Sequence, residues 1–111
     1  MTTTIELPPA IAGYFAADRD RDAATISRHF TEHAVVQDEG KLHTGREAIR
    51  TWMSDSWAKF SATTEPFAIA DQGPATVVTS HVASDFPGSP IDLRFHFVLE
   101  GDLIAKLEVT S

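Results

Sequence analysis

The sequence predicts an α+β domain in which three helices in the N-terminal half pack on one face of a strongly curved antiparallel sheet. Two observations carry this reading. Apolar residues recur at helical spacing through the first half of the chain, and from about residue 65 they alternate with period two. Short turns rich in Gly and Pro join the later strands, which marks an antiparallel meander. Each helix has a single apolar stripe, so all three must cover the same sheet face. A curved sheet wrapped on three helices is a cone, and its open end is an apolar pocket. The 111 residues make one domain spanning 1–111.

Pro8-Pro9 suits the first turn of a helix, where a missing N–H costs nothing. Ile11, Tyr14 and Phe15 follow at helical spacing, until the run Asp18-Arg19-Asp20-Arg21-Asp22 breaks the pattern. Asp20 or Asp22 can cap a second helix with Ala23, Ile26 and Phe30 on its apolar face. Ala34 to Asp38 is a short strand with Val36 and Asp38 on one face. Lys41 to His43 is a second extended piece. Thr44-Gly45-Arg46-Glu47 reads as a capping box that opens a third helix. Its stripe is Ile49, Trp52, Met53, Trp57 and Phe60.

The remaining strands are Glu65 to Ile69, Thr76 to Phe86, Ile91 to Glu100, and one starting at Leu103. Pro66 places the first of these at an edge or a start. Val78, Ser80, Val82, Ser84 and Phe86 share one face, and Val77, Thr79, His81 and Ala83 the other. Ile91, Leu93, Phe95, Phe97 and Leu99 alternate against Asp92, Arg94, His96 and Val98. Gly101-Asp102 makes a tight hairpin, after which Leu103, Ala105, Leu107 and Val109 alternate.

Composition excludes several functions. A net charge of −7 (9 − 16) with no basic cluster argues against nucleic-acid binding, because phosphates repel an acidic surface. No apolar run approaches the ~20 residues that span a bilayer, so no membrane role is expected. The N-terminus has neither a basic segment nor an apolar core, so no secretion signal is read there. Together with the absence of cysteine, this gives a cytoplasmic expectation. His29 and His33 have the i, i+4 spacing of a helical metal pair, but they lack a third ligand. No metal site and no cofactor are therefore expected.

Asp38 is the most informative acid. On the face of Val36 it would be buried at a pocket floor, where desolvation raises a carboxyl pKa and makes a base for carbon acids. Asp38-Glu39-Gly40 also reads as a simple turn with a solvated carboxylate. Tyr14 lies on the apolar helix face, so its buried hydroxyl needs a partner, either a ligand oxygen or a core group. Ser80, Val82, Leu93 and Phe95 share the inner strand faces and are candidate ligand contacts. Trp57, Phe67 and Val78 are core by default. The outer face, with Thr79, His81, Arg94 and His96, is too apolar and too mixed for full exposure, and a two-fold homodimer would bury it.

The chain resembles the SnoaL-like and ketosteroid-isomerase-like branch of the NTF2-like superfamily. The resemblance rests on Tyr14-Phe15-Ala16-Ala17, on Phe30 followed by Ala34-Val35-Val36-Gln37-Asp38, and on Gly45-Arg46-Glu47-Ala48-Ile49-Arg50. It rests also on the stretch from Phe86-Pro87-Gly88 through Arg94-Phe95-His96-Phe97. It implies an α+β cone, often dimeric through the outer sheet face. It also implies that Tyr14 stands where an oxyanion donor does, Asp38 where the general base does, and Trp52 and Met53 facing the cavity. Leu93 stands where a second, acidic donor would be; the adjacent Asp92 faces the other way. The implied function is binding of a small apolar carbonyl compound, with proton-transfer chemistry of an isomerase or cyclase. The alternative is a non-catalytic ligand-binding or dimeric assembly module.

Overall fold

The first helix, α1 (Pro9–Asp20), starts from Pro8 and ends at Arg21, whose φ of 53° turns the chain left-handed. It buries Ile11, Tyr14 and Phe15, as the helical spacing requires. Asp22 caps α2 (Ala23–Arg28): its carboxylate accepts from the Thr25 amide at 3.1 Å and the Thr25 hydroxyl at 2.7 Å. This computed structural model describes residues 5–59, 61–84 and 87–111. Phe60 and Phe86, expected in the inner stripes, lie outside the described residues.

After α2 come β1 (Phe30–Asp38), β2 (Lys41–Thr44), α3 (Arg46–Lys59), β3 (Thr63–Gln72), β4 (Ala75–Ala83), β5 (Ile91–Glu100) and β6 (Leu103–Thr110). The six strands form one curved, unclosed sheet in the order β2-β1-β6-β5-β4-β3. The helices pack on its concave face, with α1 against β3 and β6 and α3 against β1 and β2. β3, which contains Pro66, is an edge strand, as its missing N–H allows.

Five departures from the sequence reading have local causes. The sheet is mixed: β3 to β6 form the expected antiparallel meander, but β6 lies parallel to β1. That pairing joins strands far apart in sequence, which no local pattern encodes. β1 begins at Phe30, because α2 stops at Arg28 and His29 caps it. His29 and His33 therefore sit on different elements. Thr44 stays in β2 opposite Val35, and α3 starts after Gly45, whose φ of 89° suits only glycine. The register of β3 shifts between Pro66 and Ala68, so Phe67 is an extra residue and half its surface is exposed. A second shift pairs Leu99 with Ile104 and Val98 with Lys106, which puts Ile104 in the core in place of Ala105.

The core centres on aromatic rings. Tyr14 meets Phe15 edge-on at 5.1 Å, Phe97 at 5.4 Å and Phe30 at 6.0 Å, and Phe15 meets Phe95 at 5.3 Å. Such geometries add to the large area each ring buries. Phe97 is fully buried and touches three of these rings. Phe97→Ala is expected to cost about 3–5 kcal/mol through lost transfer energy and a residual cavity; a denaturant-unfolding midpoint measures it.

Candidate functional site

α1, α3 and the concave sheet face enclose a cavity of about 630 Å³ that opens to solvent past Glu39, Lys41, Lys59 and Pro87. A volume of this size suits a small organic ligand. Tyr14, Asp38, Trp52, Met53, Val82, Leu93 and Phe95 all line it. Ser80 does not. Its strand neighbours Pro66 and Leu93 flank it, it is fully buried, and its Oγ has no hydrogen-bond partner among the described residues.

Alternation along β1 builds the acid end of the cavity. Val36 points into the core and Asp38, two residues on, lines the cavity half-buried. Trp52, from α3, donates its indole N–H to Asp38 Oδ2 at 3.1 Å. His43, directly across β2 from Val36, lays its ring over Trp52 at 5.8 Å. Burial raises the Asp38 carboxyl above its ordinary value of 3.8, and the Trp52 hydrogen bond opposes that rise.

Tyr14 is 2% exposed, and among the described residues its hydroxyl donates to the Met53 sulfur alone, at 3.9 Å. A thioether is a weak acceptor. Burial pushes the phenol well above its ordinary value, and the nearby charges of Asp18 and Asp38 push it further. The hydroxyl is therefore a donor at neutral pH, without a strong acceptor among the described residues.

Asp18, Trp57 and His43 also line the cavity, and the sequence reading gave none of them a role there. Asp18 lies one helical turn after Tyr14, a spacing that puts both on one face. The alternating charges around it read as a solvated surface and hid that signal. Its Oδ1 accepts the Trp57 indole N–H at 2.8 Å, which ties the ends of α1 and α3 together. Burial raises its carboxyl; hydrogen bonds from Trp57 and Thr64 and the charges of Arg21 and Arg19 act against that. His43 was legible only through the β1–β2 register.

The helix-on-sheet cone is shared with known proteins. The SnoaL-like domain profile matches residues 11–107. The chain belongs to the SnoaL-like domain family. A solved structure from Sinorhizobium meliloti, to which polyketide cyclase activity is ascribed, is similar to it over 94% of this chain and 95% of that one. The identity is 36% and the TM-score 0.89. An uncharacterised cystatin-fold protein from Novosphingobium aromaticivorans shares the fold at 19% identity and a TM-score of 0.77, covering 97% of this chain and 100% of its own. An NTF2-like protein from Cytophaga hutchinsonii does so at 16% and 0.73, covering 99% and 93%. No curated protein matches the chain.

The outer sheet face holds Thr79, His81, Arg94 and His96, as their alternation requires. His81 Nδ1 and Asp92 Oδ1 are 2.9 Å apart across adjacent strands, and His96 Nε2 lies 2.9 Å from Thr110 Oγ1. Among the described residues no group of three His, Asp or Glu side chains could hold a metal ion. Among them too, no helix is long and apolar enough to cross a membrane.

Because Ser80 Oγ is buried without a partner, Ser80→Ala removes a desolvated polar group at little packing cost. The variant is expected to match the parent or exceed it by up to about 1 kcal/mol in denaturant unfolding. A loss above about 1 kcal/mol would mean that the hydroxyl has a partner.

Proposed function

We propose that the cavity binds a small, mainly apolar carbonyl compound and that Asp38 serves it as a general base, in an isomerisation, a cyclisation or a related elimination. The observation that carries this reading is the placement of the Asp38 carboxylate and the Tyr14 hydroxyl on the walls of one apolar cavity. Membership of the SnoaL-like family and similarity to the Sinorhizobium protein support it.

The chemistry follows from the groups present. Asp38 takes a proton from the carbon next to a carbonyl, and the electron pair moves to the carbonyl oxygen. The Tyr14 hydroxyl donates to that oxygen as its charge grows. Where a double bond adjoins that carbon, the resulting dienolate takes the proton back from Asp38 at its far end, which is isomerisation; where a second carbonyl lies within reach, the enolate carbon attacks it and the new alkoxide takes the proton from Asp38, which is cyclisation. The apolar part of the wall (Val82, Leu93, Phe95 and Val109) lowers the local dielectric and strengthens both interactions. Trp52 orients the base and holds part of its charge.

A nitrobenzisoxazole tests the base without knowledge of the natural substrate. Asp38 would remove its ring C–H proton while the ring N–O bond breaks, releasing a coloured cyanophenolate. Asp38→Asn is expected to lower kcat/KM by about 100-fold or more. An unchanged rate would remove Asp38 as the base. Because Asp38 must be ionised to act and burial raises its pKa, the rate should climb with pH through a midpoint above 3.8. Trp52→Phe removes a hydrogen bond that favours the charged form, so it should move that midpoint upward.

We further propose that two copies pair through the outer sheet face. It carries Arg94, His81 and His96 beside Asp92 and Glu108, a mixed pattern that a two-fold axis makes self-complementary. Sedimentation equilibrium should give twice the chain mass of 12.1 kDa. Thr79→Arg combined with Arg94→Glu should give the single-chain mass. A parent that sediments at the single-chain mass would overturn the pairing.

A further inference from the structure

The proposed chemistry builds an enolate at Tyr14, yet two carboxylates line the cavity around that phenol. Both Asp18 and Asp38 make ionisation of the Tyr14 hydroxyl harder, which places their fields on the same oxygen. Asp38 loses its charge when it takes the substrate's proton. Asp18 does not, and its field opposes the growing oxyanion. Either a proton on Asp18 or a positive charge on the ligand removes this conflict.

The partners of Asp18 favour the second solution. Burial raises the Asp18 carboxyl, and the Trp57 indole N–H it accepts at 2.8 Å, with the charges of Arg21 and Arg19, favours the ionised form against that rise. Arg21 is exposed, and its Nη1 donates to the Trp57 carbonyl oxygen at 3.3 Å. Asp18 itself lines the cavity. Four acids (Asp18, Asp38, Glu39 and Asp55) and two lysines line the cavity, which leaves 2 − 4 = −2 with His43 neutral. Independently of the acids, the Tyr14 hydroxyl, 2% exposed and with only a thioether contact, is a buried donor on the same cavity wall awaiting an acceptor.

We infer that the occupant is a carbonyl compound carrying a protonated amine on an apolar body, with the ammonium against Asp18 and the carbonyl oxygen at Tyr14. This rests on the reading of the Asp38–Tyr14 end given above. Asp18 is then a specificity-determining residue: it selects an amino ketone over a neutral ketone of equal size. The ligand's charge also offsets that of Asp18 when the enolate forms.

Three probes test this by calorimetric titration at neutral pH: a naphthol, its aminomethyl derivative and its hydroxymethyl derivative. The phenol of each stands in for the enol at Tyr14. The aminomethyl compound is expected to bind at least tenfold tighter than the naphthol, and the neutral hydroxymethyl compound to bind like the naphthol. Asp18→Asn should bring the aminomethyl compound to within about twofold of the naphthol measured on the same variant. Equal binding of all three probes to the unaltered chain would overturn the inference and leave the carbonyl site standing. So would a hydroxymethyl compound that gains as much as the amine, or a preference that survives Asp18→Asn. A naphthol that does not bind would instead overturn the reading of the Tyr14–Asp38 end. The hydroxymethyl comparison uses the unaltered chain, so it decides the matter even if Asp18→Asn does not fold.

Discussion

The rest of this molecule depends on how Tyr14 is buried. Its ring is held by Phe15, Phe30, Phe95 and Phe97, which come from α1, β1 and β5. That cluster locks the first helix onto the sheet. The same packing carries the hydroxyl to a cavity wall where its only contact among described residues is a long one to sulfur. A single side chain therefore ties the packing of the core to the polarity of the site. Hydrophobic burial of the ring outweighs the cost of the poorly partnered O–H, because a buried aromatic contributes more than one weak hydrogen bond loses.

Sheet irregularity gives the cavity its shape. Register shifts in β1, β3 and across β5–β6 interrupt the regular ladder. Each shift bends its strand and re-aims the residues beyond it. The curved sheet leaves room between its concave face and the helices, so Val82, Leu93 and Phe95 form a wall as well as a core. Ser80, on the same face, is closed over and falls outside the cavity.

The electrostatics have a repeated pattern. Two tryptophans of α3 each donate an indole N–H to a half-buried aspartate, Trp52 to Asp38 and Trp57 to Asp18. A carboxylate that loses water on burial recovers part of the loss from a charge-assisted hydrogen bond. Each pair also joins two elements: α3 to β1 through Asp38, and α3 to α1 through Asp18. The same bonds that hold the helices in place favour the charged form of each acid against the rise that burial causes, and both acids line one cavity.

Local pattern determined most of the architecture. The 3.6-residue stripe placed Tyr14 inside α1, and the two-residue alternation put Asp38 on the face of Val36 and His81 and Arg94 on the outside. Hairpin turns set the antiparallel meander. These features depend on neighbours in the chain, so the sequence carries them. What depends on distant partners was hidden. The parallel β1–β6 pairing, the Phe67 bulge and the exchange of Ala105 for Ile104 follow from registers between strands. Asp18 looked like one charge in a solvated run until Trp57, 39 residues away, gave it a donor. His43 joined the site only through its place opposite Val36. Period and propensity are local energies that one strand or helix expresses alone, whereas the ionic make-up of the cavity is a sum over groups that meet only when the chain is folded.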